Sequence, residues 1–166
     1  MRQTLKAIDA LNKLVGIAVA MILGVMSILI IMQIIYRIIG YPLHWSEELA
    51  RYLMVYLVFL GSSLALRHHR LVAIELLPEL VSEVNKKVIR ITVMVICIVF
   101  FVLLLVQGID ILNRVSVQSS AAMGLSMSIP YAAIPVGAML LIINAVAVIL
   151  ETIVSEKLPP AKEEGL

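Results

Sequence analysis

This 166-residue chain holds one cysteine, one tryptophan and only 14% charged residues. The lone Cys97 excludes an internal disulfide and any cysteine-built metal cluster, and it reads as a small apolar packing residue. Four runs contain no Asp, Glu, Lys, Arg or His: Leu14 to Tyr36, Tyr52 to Leu66, Ile91 to Ile109, and Val115 to Leu150. An ionisable side chain in hydrocarbon is costly and by default marks a proton relay, an ion path or a counter-ion. The apolar runs offer none of these. A basic stripe interleaved with aromatics is also missing, so nucleic acid is not an expected partner. Neither paired inward-facing histidines nor an acidic cluster at one interface suggests an enzyme or redox subunit, and no cofactor is expected.

What is there is apolar. Hydrophobic residues make up 62% of the chain and the mean hydropathy is +1.08, the composition of a small polytopic membrane protein. A bilayer core of about 30 Å takes roughly 20 apolar residues per helix, and four spans fit, over residues 14–38, 47–66, 87–109 and 129–150. The expected fold is an all-α integral membrane protein with four transmembrane helices. Residues 14–150 form one membrane domain, 1–13 an amphipathic cytoplasmic lead-in and 151–166 a polar cytoplasmic tail. The first uncharged run, 23 residues long, exceeds a signal-peptide core and no A-x-A-like site follows it, so it is expected to be retained. The N-terminus, the middle loop and the tail carry ten Lys and Arg, against three (Arg37, Arg51, Arg114) on the other side. That excess puts both termini in the cytoplasm.

In the lead-in, Leu5, Ile8, Leu11 and Leu14 alternate with Lys6, Asp9 and Lys13, a pattern suited to a short helix on the headgroups or to an ordinary frayed start of span one. Gly16, Ala20 and Gly24 repeat at four-residue spacing, as do Gly61 with Ala65 and Ala133 with Gly137. Such faces permit close backbone approach, inside the bundle or against another subunit. Gln33 and Asn144 are neutral polar groups expected to bond between helices. Span two opens with Trp45 at the interface belt, Ser46 as N-cap, Glu47 and Glu48 in the first turn, and Arg51 four residues after Glu47. These residues describe either a well-capped helix entering the membrane or an edge that docks a partner.

In the middle loop, Leu71, Ile74 and Leu77 fall at helical spacing and Pro78 starts a new helix. Glu75 and Pro78 thus belong to a cytoplasmic interfacial segment. His68 and His69 point about 100° apart if helical, and His44 lies across the membrane, so a histidine metal site is not expected. Asp110 and Arg114 form another i, i+4 pair ahead of a polar stretch from Ser116 to Ser128, and Pro135 is expected to remove a hydrogen bond from span four.

Two stretches, WSEELARYLMVYLVFLGSSLALRHHRLVAIELL and SSAAMGLSMSIPYAAIPVGAMLL, resemble span two and the last span of the small membrane subunit of tripartite ATP-independent periplasmic (TRAP) transporters. The first matches in its Trp, acidic pair, Arg and Gly; the second in Pro130, Pro135, Val136 and Gly137. One departure is that Leu71 stands where the family often has a histidine, so no role is carried over for that histidine. The resemblance implies a non-catalytic subunit in a bacterial inner membrane. Its partners would be a large elevator-type membrane subunit and an extracytoplasmic binding protein that captures an organic acid such as a C4-dicarboxylate or a sialic acid. Sodium coupling would reside in the large subunit. Trp45, Glu47, Glu48 and Arg51 would then shape the edge that meets a partner. The alternative class is a self-sufficient four-span transporter working as a homodimer, which needs an intramembrane carboxylate that this chain does not have.

Overall fold

The computed structural model describes residues 2–68 and 83–154. Glu75 and Pro78, most of the middle loop and most of the polar tail lie outside them. The described residues form α1 (Arg2–Ile39), α2 (His44–Arg67), α3 (Glu83–Val115), a single turn α4 (Ser128–Tyr131) and α5 (Ala133–Val154). Among the described residues four segments are long and apolar enough to cross a membrane, Gln3–Ile39, His44–Arg67, Lys87–Val115 and Ser128–Ile153.

The lead-in and span one form one continuous helix. At 1.5 Å per residue, the 38 residues of α1 run for about 57 Å, close to twice the hydrocarbon thickness. Nothing at positions 10–15 breaks it, since Ala10, Leu11 and Leu14 are good helix formers. α1 ends at Gly40, whose φ of +89° reverses the chain. Ser46 is not the N-cap of α2. The helix begins two residues earlier at His44 with Leu43 as cap, and the buried Ser46 hydroxyl donates back to the Leu43 carbonyl at 2.7 Å.

The helices make an open layer rather than a closed bundle. α1 packs on α2, α2 on α5 and α5 on α3, and among the described residues the backbones of α1 and α2 do not come alongside that of α3. α5 is the shared helix, with 50% of its most apolar window buried against 11% in each of the others. Its sequence explains the position. Ala133, Gly137, Ala138, Ala145 and Ala147 leave little bulk on the faces turned to α2 and α3, so both neighbours approach closely. Between α5 and its neighbours sits a core of Leu66, Met94, Leu141, Ala145 and Val148, with Ile98, Phe101 and Ile149 packed on it.

Two glycines carry the closest approaches. A Cβ on Gly137 would stand 2.5 Å from the Cβ of Phe59 on α2, and one on Gly108 of α3 would stand 3.1 Å from Pro135 Cδ on α5. The last span is divided at Ala132, between α4 and α5, three residues before Pro135. Proline has no N–H to give the carbonyl of Tyr131, and its ring crowds that turn.

Candidate functional site

Polar side chains gather at the two ends of the layer. One cluster lies at the end shared by the start of α1 and the ends of α2 and α5. Arg67, the last residue of α2, donates through Nε and Nη2 to Asp9 Oδ1 at 3.1 and 2.8 Å, and through Nη1 and Nη2 to the Glu151 carboxylate at 2.7 and 2.6 Å. The arginine side chain is 6% exposed, Glu151 25% and Asp9 48%. A planar guanidinium spanning two carboxylates fixes direction as well as charge. One turn deeper, Asn12 and Asn144 exchange amide bonds at 2.7 and 2.9 Å, Asn144 Nδ2 also donates to the Ser63 carbonyl at 2.8 Å, and Asn12 Nδ2 to that of Ile8 at 2.9 Å. Three helices are thereby tied by side chains whose polar groups have partners. Asp9 with Asn12, Ser63 with Arg67, and Asn144 with Glu151 each share one face of their own helix.

The second cluster lies at the opposite end, where α2 starts and the α3–α4 connection returns. Glu48 turns inward. It accepts the Tyr52 hydroxyl on one oxygen and the backbone N–H groups of Ala122 and Met123, each at 3.0 Å, on the other. The loop it grips is itself ordered by an isolated antiparallel bridge between Ser119 and Ser126, by Ser120 N donating to Leu125 O at 2.7 Å, and by a turn at Gly124 with φ of +65°. The Tyr56 hydroxyl donates to the carbonyl of Ile129 at 2.7 Å. Glu48, Tyr52 and Tyr56 thus stitch α2 to the 116–131 segment along one face, at i, i+4 and i+8.

Glu47, Arg51 and Trp45 stay on the outside. The Glu47–Arg51 pair spans 3.8 Å with side chains 50% and 77% exposed, and such a pair contributes about 1 kcal/mol at most. Gln33 of α1 donates to Glu47 Oε1 at 3.0 Å. Trp45 is 39% exposed. Asp110 and Arg114, adjacent in helical register, do not pair with each other.

The small-residue faces divide. Gly137 and Ala133 are buried within the chain, as is Pro135. Gly16 and Ala20 of α1 and Ala65 of α2 line a groove between the two helices, where a Cβ on Gly16 would stand 3.9 Å from Leu64 Cδ1. Gly24 and Gly61 have no chain neighbour within 4 Å of an added Cβ. Gly108 was not singled out by spacing, because no second small residue accompanies it at four-residue distance. Asp9, Asn12, Arg67 and Glu151 were read as flank residues. Their shared helix faces were the available signal.

Among the described residues no group of three His, Cys, Asp or Glu is placed to hold a metal. The architecture defines a multi-pass helical membrane protein whose apolar runs contain no Asp, Glu, Lys, Arg or His, and among the described residues its ion pairs lie at the ends of the layer. The family profile of "Tripartite ATP-independent periplasmic transporters, DctQ component" matches residues 26–155, and the chain belongs to that family. It is a transporter component and not an enzyme. A curated relative, the sialic acid TRAP transporter permease protein SiaT of Haemophilus influenzae (strain 86-028NP), is 34% identical over 119 residues, which cover 72% of this chain. The match spans only 19% of the relative's length.

Replacing Glu48 by Ala is expected to free the 116–127 loop without unfolding the helices. Amide exchange at Ala122 and Met123 should rise about tenfold, the loss of roughly one charge-assisted hydrogen bond. Hydrogen exchange with mass spectrometry reads this directly, and unchanged protection of that peptide would show that the carboxylate does not hold the loop.

Proposed function

We propose that this chain is the non-catalytic small membrane subunit of a sodium-coupled, binding-protein-dependent TRAP importer of organic acids in a bacterial inner membrane. The observation that carries the reading is the family membership together with four apolar runs that contain no Asp, Glu, Lys, Arg or His. Substrate and sodium sites need charged or ion-coordinating groups, and they fall to a large membrane subunit. The relative's length beyond the matched region is where we place the counterpart of that subunit. Both termini, with the Asp9–Arg67–Glu151 tie, face the cytoplasm in this account, and the Glu48-held loop faces the binding protein. A reporter fused after Leu166 that is active only outside the cytoplasm would reverse this orientation.

The small subunit acts as a rigid edge. The exposed Trp45 and Glu47 and the 116–127 loop form the outer contact with the large subunit and the transient binding protein, while the exposed apolar faces of α1 and α3 meet lipid and the large subunit. The test is uptake of a radiolabelled organic acid, such as sialic acid or a C4-dicarboxylate, into proteoliposomes with a sodium gradient. Uptake is expected only when this chain, the large subunit and the binding protein are all present. Sodium-driven uptake by this chain alone, or undiminished uptake without it, would sink the proposal.

A further inference from the structure

A groove of about 350 Å³ opens between α2 and the α4–α5 segment, on the side where α2 begins. Its walls include Val55 and Phe59 of α2 and Pro130 and Ile134 of the divided last span, and its rim carries Arg51 and Tyr131. Arg51, Val55 and Phe59 stand at i, i+4 and i+8, so the groove runs for about 12 Å along α2, from the interface into the apolar span. Pro130 and Tyr131 of α4 and Ile134 of α5 lie on the opposite wall.

The polar groups on the rim are not consumed by the fold. Arg51 is 77% exposed and, among the described residues, meets only the exposed Glu47 carboxylate, at 3.8 Å. The hydroxyls of Tyr52 and Tyr56 are committed to Glu48 and to the Ile129 carbonyl. The Tyr131 hydroxyl has no partner among the described residues, and the residue is 37% exposed. A cation and a free phenol therefore stand at the interfacial mouth of an apolar trough. This is the polarity profile of an anionic headgroup above an acyl chain.

We propose that this groove is a phospholipid site in the leaflet at the start of α2, with one acyl chain along Val55, Phe59 and Ile134 and the phosphodiester held by the Arg51 guanidinium and the Tyr131 hydroxyl. The lipid completes the α2–α5 face and sits directly below the loop that Glu48 holds. The site does not depend on the transport reading, because its test measures lipid alone.

The full chain is purified in mild detergent, supplied with phosphatidylglycerol, and its retained lipid counted by native mass spectrometry, with diacylglycerol as the headgroup-free probe. Phosphatidylglycerol adducts are expected to survive activation, and to fall about tenfold in Arg51→Gln, the loss of roughly one charge-assisted contact. A smaller fall is expected in Tyr131→Phe, a similar loss to Arg51→Gln in the groove-filling Val55→Trp, and no change in Ile96→Trp, an exposed position on α3 away from the groove. Diacylglycerol should be retained poorly by every form. Arg51→Gln and Tyr131→Phe alter groups on the surface, so the test does not depend on Val55→Trp folding. Equal adducts in all variants would mean annular lipid only and overturn the proposal. Loss of a co-purified large subunit from Val55→Trp, with phosphatidylglycerol retention intact, would also overturn it by making the groove a protein contact.

Discussion

Arg67→Met is expected to be the most damaging single side-chain replacement at either end of the layer. The guanidinium is 6% exposed and neutralises two carboxylates from two other helices. Its removal takes from Asp9 and Glu151 the guanidinium that both carboxylates share. Breaking a buried pair by deleting one partner costs about 3–5 kcal/mol. Asp9 is half exposed and partly screened, so we expect about 3 kcal/mol here, the low end of that range. The loss should appear as a lower unfolding midpoint in detergent and as faster exchange in the first turns of α1, which α5 scarcely supports. Changing all three at once, Asp9→Asn and Glu151→Gln with Arg67→Met, should recover part of the stability, because both carboxylates that shared the guanidinium are then neutral. A single Arg67→Met variant as stable as the parent would show that the carboxylates find other partners.

Gly137→Ala is the second large effect, and its mechanism differs. The added Cβ would lie 2.5 Å from Phe59 Cβ, 2.9 Å from Cδ1 and 3.0 Å from Cγ. Overpacking typically costs about 1–3 kcal/mol, and the upper half of that range applies because the nearest atom cannot rotate away. Phe59→Ala removes the ring but keeps the Cβ, so it should not rescue Gly137→Ala. α2 and α5 must separate instead, which also stretches the Asn144 to Ser63 bond further along the same interface. Gly108→Ala, whose Cβ would meet Ile134 Cγ2 and Pro135 Cδ at 3.1 Å, should cost less, about 1 kcal/mol. Unfolding titrations of the three variants check the order, and full rescue by Phe59→Ala would contradict it.

The four spans were legible because hydrocarbon selects for length and for absence of charge, and both are local properties of sequence. So were the family-bearing motifs around Trp45 and Pro135. The interhelical bonding of Gln33 and Asn144 could be expected from a neutral amide in an apolar helix, but their partners could not. The Asn144 partner Asn12 is 132 residues away and sits in a segment whose Lys and Asp content reads as solvated. Arg67 was hidden in the same way. A basic residue at a span end satisfies the topology rule whether it faces headgroups or two carboxylates.

The start of α2 shows a second limit. Three charged side chains within five residues carry no label saying which turns inward, and the decision is made by Ala122 and Met123, more than seventy residues later. Glu48 belongs to the fold of the edge where α2 starts, whereas Glu47 and Arg51 lie on its surface. Ser46 was misplaced as a cap because its hydroxyl has a competing acceptor three residues back.

We propose that this chain works only as part of a larger membrane assembly. The most direct measurement is affinity purification of the tagged chain from its native membrane in mild detergent, with mass spectrometry of what accompanies it. A large polytopic subunit in stoichiometric amount is the expected result. A lone chain or a homodimer that transports substrate by itself would contradict it.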